Sequence, residues 1–291
     1  MPRLGTRRRS RRRRGVAIRF GPLLLTAVAL VVSGCGSASD PAASVVGAAK
    51  KTAALSWVRY QIRFTGPRLF PRSVRITGAR GAYGFKTGLD YAFIGVQMPG
   101  GTSRNVFVDS SPSEVAVAPS PAPAGLLPAG KSWISAPLRG RQDTGRLVAQ
   151  VQGLAPLLAL DEIKWGTLRA SSLGTRSVGH VPMNVYRVSV GLERAYSAAT
   201  RHGAQAVAAA IEQELSASPS GRVTIDVWVN GPGYVAQIFQ RQPGSGLGAT
   251  SLSFTSYTRR YDGAFAPPSE TVSLASLRPG RRSVWVVAVG S

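Results

Sequence analysis

The chain has 291 residues, with 36 lysines and arginines against 13 aspartates and glutamates, one cysteine and two histidines. At 44% hydrophobic and 17% charged it is long and apolar enough for a sizeable core, which excludes wholesale disorder. The lone cysteine excludes an internal disulfide framework or a cysteine-based zinc cluster, and two scattered histidines argue against a histidine-held metal.

The net charge of +23 resembles a nucleic-acid signal until its distribution is read. Nine arginines (Arg3, Arg7 to Arg9, Arg11 to Arg14, Arg19) precede an apolar run from Leu23 to Val32 that only Thr26 interrupts. A basic stretch before about ten apolar residues fits a secretory signal peptide and is too short to span a bilayer. The run ends in Val32-Ser33-Gly34-Cys35, which is similar to a bacterial lipobox: small residues admit the peptidase, and the Cys35 thiol accepts a diacylglyceryl group. Residues 1–34 are therefore expected to be a lipoprotein signal peptide. The polar stretch 35–44 is expected to be a flexible tether, and 45–291 one domain with an extension from about 270. Two acyl chains on Cys35 would anchor the product stably to the extracytoplasmic side of the cell membrane. Without residues 1–34 the chain keeps 27 cations and 13 acids, a charge of +14, with doublets only at Lys50-Lys51, Arg259-Arg260 and Arg281-Arg282. No nucleic-acid partner is expected. The basic surface suits anionic lipid headgroups or acidic wall polymers, or is simply solvated.

After the tether, short alternating segments dominate. From Trp57 to Phe64, Val58, Tyr60, Ile62 and Phe64 alternate with Trp57, Arg59, Gln61 and Arg63, which predicts a strand with one wet face. Val74 and Ile76, Val106 and Val108, and Val115 and Val117 give weaker copies. Ser132 to Ala136, Thr167 to Ser171, Met183 to Val190, Val223 to Val229, Tyr234 to Phe239 and Leu252 to Tyr257 continue the series. Turns are predicted at Gly78 to Gly81, Pro99 to Gly101, Asn230 to Gly233 and Gly244 to Gly248, the third closing a hairpin from Val223 to Phe239. The Pro-rich stretch from Pro119 to Pro128 reads as a loop between strands.

Three segments read as helix: Pro41 to Leu55, Thr144 to Leu160 and Gly203 to Leu215. The second carries Leu147, Val148, Val151, Leu154 and Leu158 on one stripe, with Pro156 expected to kink or end it. About ten strands with a few helices indicate an α+β domain dominated by one antiparallel sheet.

Catalytic patterns are sparse. The chain has no Gly-x-Ser-x-Gly elbow, His-Glu-x-x-His motif or P-loop, and Gly231-Pro232-Gly233 lies between two strands as a turn instead of opening a helix. His180 precedes a strand and His202 lies near a helix start, neither with a sequence-local acid partner, so both read as turn or surface histidines. Asp161-Glu162 reads as a solvated loop pair. Asp226 shares its strand face with Thr224 and Trp228 and is expected on the outer face beside a basic neighbour. No enzyme and no cofactor is expected.

Taken in order, these features resemble the LolA-like fold, in particular the LppX/LprAFG-type lipoproteins of actinobacteria. The likeness rests on Cys35, an Ala-rich helix running into Ser56-Trp57-Val58-Arg59-Tyr60, Gly130-Lys131-Ser132-Trp133 and the leucines from Leu154 to Leu160. It continues through Val178-Gly179-His180-Val181-Pro182-Met183-Asn184-Val185-Tyr186, Ile225-Asp226-Val227-Trp228-Val229 and Tyr261-Asp262-Gly263 before Pro267-Pro268. The resemblance implies a strongly curved antiparallel half-barrel with helices packed on its concave face. It also implies an apolar cavity for acyl chains, a role in binding or carrying a lipid or glycolipid, and an envelope transporter as a partner. The expected lining is Leu147, Val151 and Leu154 on a helix, facing Ile225 and Val227 on a strand. The alternative is a non-enzymatic envelope lipoprotein that binds a protein or an acidic wall polymer through its basic surface. The segment from Glu270 to Ser291 departs from the family and either adds a strand or enters the cavity.

Overall fold

A computed structural model describes residues 40–64, 69–70, 74–97, 101–111, 113–120, 127–137, 156–218, 220–241, 249–258 and 268–277. The expected signal peptide, Cys35, the predicted helix up to residue 155, the Gly244 to Gly248 turn, Tyr261-Asp262-Gly263 and the tail beyond residue 277 lie outside them.

Helix α1, Pro41–Ala53, starts as the sequence dictates: the Asp40 carboxylate accepts from the Ala42 amide at 3.0 Å, Pro41 takes the first turn, and Lys50 and Lys51 sit in the last. The chain then enters β1, Trp57–Phe64, in which Val58, Tyr60 and Ile62 are buried while Arg59 and Arg63 are exposed. There follow β2 (Leu69–Phe70), β3 (Val74–Gly84), β4 (Leu89–Gln97), β5 (Ser103–Ser110), β6 (Glu114–Ser120) and β7 (Trp133–Pro137). Helix α2, Pro156–Gly166, leads to a long hairpin of β8 (Thr167–Val178) and β9 (Val181–Gly191). Helices α3 (Leu192–Arg201) and α4 (Gln205–Ala217) precede β10 (Arg222–Asn230), β11 (Val235–Arg241), β12 (Ala249–Thr258) and the short β13 (Thr271–Ser273).

These strands form one large curved, unclosed sheet in the order β13-β7-β6-β5-β4-β3-β1-β12-β11-β10-β9-β8, with β2 beside β3. All neighbours are antiparallel except β13, which lies parallel to β7 with Val272 opposite Ile134. The start of the C-terminal extension therefore adds a strand. Alternate residues of the successive strands build a continuous apolar face: Ile134 and Ala136, Val115 and Val117, Val106 and Val108, Ala92 and Ile94, Val58 and Ile62, Leu252 and Phe254, Ile225 and Val227, Val188 and Val190, all buried. The helices gather at one end of this face. Helix α1 packs on β8 to β11, α2 on β8 and β9, and α3 on β9, adding Val45, Ala49, Leu160, Ile163 and Leu192 to the same core, while α4 packs on α3 and α2 and adds Ile211.

The predicted hairpin pairs as expected, with Asp226 opposite Phe239 across the Asn230 to Gly233 turn. Four readings need correction. Gly78 to Gly81 is not a turn but lies within β3, because glycine is required there for close approach rather than for bending. Tyr60 stands opposite Gly81, and a Cβ on Gly81 would fall 2.2 Å from the Tyr91 carbonyl oxygen and 2.9 Å from the Tyr60 hydroxyl. The helix expected to end at Leu160 runs on to Gly166, with Pro156 at the start of its described part, Pro156–Gly166. Asp161 and Glu162 are helical and buried, not loop acids. Strand β4 and helix α3 were not predicted: Gly88, Gly95 and an inward acid interrupt the apolar alternation of β4, and Ala and Ser dilute the stripe of α3.

One hydroxyl ties helix to sheet. Thr52 donates to the Ala48 carbonyl at 2.8 Å and accepts from the Val235 amide at 2.9 Å, satisfying a backbone N–H at the bulge between Trp228 and Val229. Thr52→Val keeps the shape and removes this acceptor. It is expected to cost about 1–3 kcal/mol, the usual penalty for a buried unsatisfied donor, read as a lower urea midpoint with unchanged slope.

Candidate functional site

Along β4 the inward positions read Asp90, Ala92, Ile94 and Val96, so one carboxyl shares a face with aliphatic side chains. Tyr83 lies directly opposite Asp90 on β3, and the Tyr60 hydroxyl donates to Asp90 Oδ1 at 2.9 Å. Asp90 is 3% exposed and Tyr60 2% exposed. Burial pushes the Asp90 carboxyl up to about 7; the Tyr60 bond pulls it down, and Asp109 raises it further. The Tyr60 and Tyr83 hydroxyls are both held above the ordinary phenol range, mainly by burial and then by the negative charge of Asp90.

Helix α2 brings a second set of acids to the interior. Asp161 pairs with Lys164 one turn on, and burial raises its carboxyl against the opposing pull of Lys164 and His202. The Lys164 ammonium stands 4.1 Å from the Trp165 ring centre, and Trp165 stacks on His202 at 5.4 Å with 14° between planes. Glu162 is buried and its carboxyl is driven well up, first by burial and then by Glu214 and Asp161; Oε1 of Glu162 has no hydrogen-bond partner. Asp161 also raises the Tyr83 hydroxyl electrostatically, less than burial and Asp90 do. Burial thus favours the protonated form of these interior carboxyls, which can donate as well as accept. Among the described residues no group of His, Cys, Asp and Glu is arranged to hold a metal.

The residues singled out from sequence lie elsewhere. Ile225 and Val227 are buried on the apolar face of β10 beside α1, while Leu147, Val151, Leu154 and Cys35 fall outside the described residues. Asp226 points to the opposite face, as expected, and is held by Arg187 through two bonds of 2.8 and 3.0 Å. His180 sits exposed in the β8–β9 turn, and His202 ends α3. Asp90 and Tyr83 were legible in principle, since Asp90 shares its parity with Ala92, Ile94 and Val96. Glu162 was not, because its burial depends on where α2 packs.

No protein-family model matches the sequence, and no curated protein does. Among solved structures the fold is similar to the lipoprotein LppX of Mycobacterium tuberculosis, at 12% identity and a TM-score of 0.45 over 78% of this chain and 97% of that one. It is likewise similar to LprF from Mycobacterium bovis, at 11% identity and a TM-score of 0.45 over 79% and 99% of the two chains. A putative outer membrane lipoprotein-sorting protein domain from Vibrio parahaemolyticus aligns at 8% identity and a TM-score of 0.24 over 85% and 99%. These are likenesses only, and the functional reading below rests on the chain's own residues.

The raised Asp90 carboxyl has a signed consequence. Between the ordinary 3.8 and about 7 the folded chain holds a proton that the unfolded chain has released, so stability falls as pH rises through that window and levels off above it. Asp161 and Glu162 act in the same direction. Asp90→Asn keeps an acceptor for Tyr60 without the ionisable group. Urea unfolding from pH 4 to 8 is expected to show a shallower decline for this variant and a more stable protein at pH 8; an unchanged slope would remove Asp90 as a source.

Proposed function

We propose that the chain is a non-enzymatic envelope lipoprotein that binds or carries an amphiphilic lipid, with the acyl chains lying on the concave, apolar face of the sheet. In this reading Cys35 carries the acyl anchor that holds the domain to the extracytoplasmic side of the cell membrane. The observation that carries it is the continuity of the apolar face. Buried aliphatic residues recur at alternate positions from β7 through β9, while the helices make their main contacts with β8 to β11. A sheet with one such face needs an apolar cover along its whole width; the chain's own atoms already bury Ala92, Ile94, Val106, Val108 and Val117, so in this reading the guest hydrocarbon enters by displacing that cover. Each methylene removed from water contributes about 0.8 kcal/mol, so one acyl chain supplies ample driving force without directional contacts.

The interior polar set gives such a guest an orientation. Tyr60, Tyr83 and Asp90 stand on the wall of β1, β3 and β4, with Asp161 and Glu162 on α2. The headgroup oxygens would accept from the protonated carboxyls and from Tyr83, the Tyr60 proton being held by Asp90, and the chains would run along Ala92, Ile94, Val106, Val108 and Val117. Among the described residues no helix is long and apolar enough to cross a bilayer, and in this reading Cys35 attaches the domain to the membrane.

Native mass spectrometry of the full chain, purified in mild detergent, is expected to show a bound lipid, and delipidated protein should take up a fluorescent long-chain lipid. Ala92→Leu narrows the wall by three carbons and is expected to lower uptake severalfold with an unchanged circular dichroism spectrum. Delipidated, folded protein that takes up nothing would overturn the reading.

A further inference from the structure

The β8–β9 hairpin outruns the sheet. Strand β9 pairs with β10 only as far as Met183 opposite Asn230, so the segment from Val178 to Pro182 projects past its neighbour. Gly179 and His180 both have positive φ, 54° and 67°, the pattern of a type I′ turn, which matches strand twist and fixes the tip. Below it, a bulge between Ser172 and Thr175 with Gly174 at φ 81° re-aims the distal end, and Thr175 Oγ1 bonds Asn184 Oδ1 at 3.1 Å across the strands.

At this tip the usual surface rule is broken. Val178 and Val181 are 41% and 48% exposed, and among the described residues only Leu168 joins them as a strongly exposed large apolar side chain. The two valines are direct cross-strand partners and so project from one face of the ribbon; Met183 and Arg176, the next pair of the same parity, extend it. From Thr167 to Gly191 the sequence carries Arg169, Arg176 and Arg187 and no acid at all. Arg187 is engaged by Asp226, which leaves Arg176 as the cation beside the apolar knob.

We propose that this hairpin tip docks on the surface of an anionic lipid bilayer, Val178, Val181 and Met183 entering the headgroup–acyl boundary while Arg176 meets phosphate. An apolar pair held clear of the core stabilises nothing within the fold, yet it gains from partial immersion, and an arginine stem spans the boundary with its guanidinium in the headgroups. The absence of acids along 25 residues of hairpin removes repulsion from a negative surface. This docking is separate from cargo binding on the apolar face: either can fail alone, since lipid uptake and tip insertion are read by different signals.

The test uses the full chain with Cys35→Ser, so that no acyl anchor contributes, and one new cysteine carrying an environment-sensitive dye. Val181→Cys labels the tip, and Thr102→Cys labels an exposed position in the β4–β5 connection at the other end of the ladder. The arginines before residue 20 draw both chains alike to vesicles of mixed phosphatidylglycerol and phosphatidylcholine containing a doxyl-labelled lipid. The tip dye is expected to shift blue and to be quenched severalfold more than the dye at 102. Val178→Asp or phosphatidylcholine alone should abolish most of the difference. Equal responses at the two positions, or equal tip quenching with and without anionic lipid, would overturn the proposal. So would a tip blue shift without vesicles that tracks dimer formation by sedimentation, which would assign the tip to a second copy of the chain instead.

Discussion

The structure depends on one constraint: an open sheet must keep one complete face out of water. Strand alternation creates that face, and among the described residues β13 and β8 remain the two ends of the order. Hiding so much aliphatic surface is the dominant favourable term in such a fold. The four described helices answer it unevenly, with α1 to α3 set against β8 to β11. Thr52 shows how tightly that end is fixed, because its hydroxyl joins α1 to the bulged start of β11 within the core. The far strands, β3 to β7, carry their own aliphatic rows, mainly of valine, alanine and isoleucine, and these are buried as well.

Against this wall the buried acids stand out. Asp90 and Glu162 are far from the environment in which carboxylates ionise readily, and the sequence retains them where an aliphatic residue would bury at lower cost. Their raised proton affinities follow chiefly from desolvation. They make the interior amphiphilic at one place and apolar elsewhere, which matches the two-part chemistry of a lipid. The same principle, inverted, governs the hairpin tip: there apolar side chains stand where polar ones belong. In the proposed reading each departure from the ordinary inside–outside rule falls where a lipid meets the chain.

Much of this was legible from residue order. The alternation in Trp57 to Phe64 gave β1 with its bounds and both faces, and Asn230-Gly231-Pro232-Gly233 gave the β10–β11 hairpin, because period-two burial and turn chemistry are local. Asp226 was placed correctly on the outer face by parity alone. What failed was set by long-range packing. Gly81 resembles turn punctuation until the Tyr60 ring is laid across it. Asp161 and Glu162 read as solvated because charge normally implies water, and only the docking of α2 buries them. Asp90 was overlooked although its parity was inward, since β4 itself was missed between glycines.

In the proposed reading the apolar face of β4 to β6 receives the guest hydrocarbon. Cross-linking with a lipid whose acyl chain carries a photoactivatable diazirine, followed by peptide mass mapping, tests it most directly. The predicted adducts fall on Ala92, Ile94, Val106, Val108, Val115 and Val117. Adducts confined to the opposite faces of the same strands, such as Phe93 and Phe107, would contradict it.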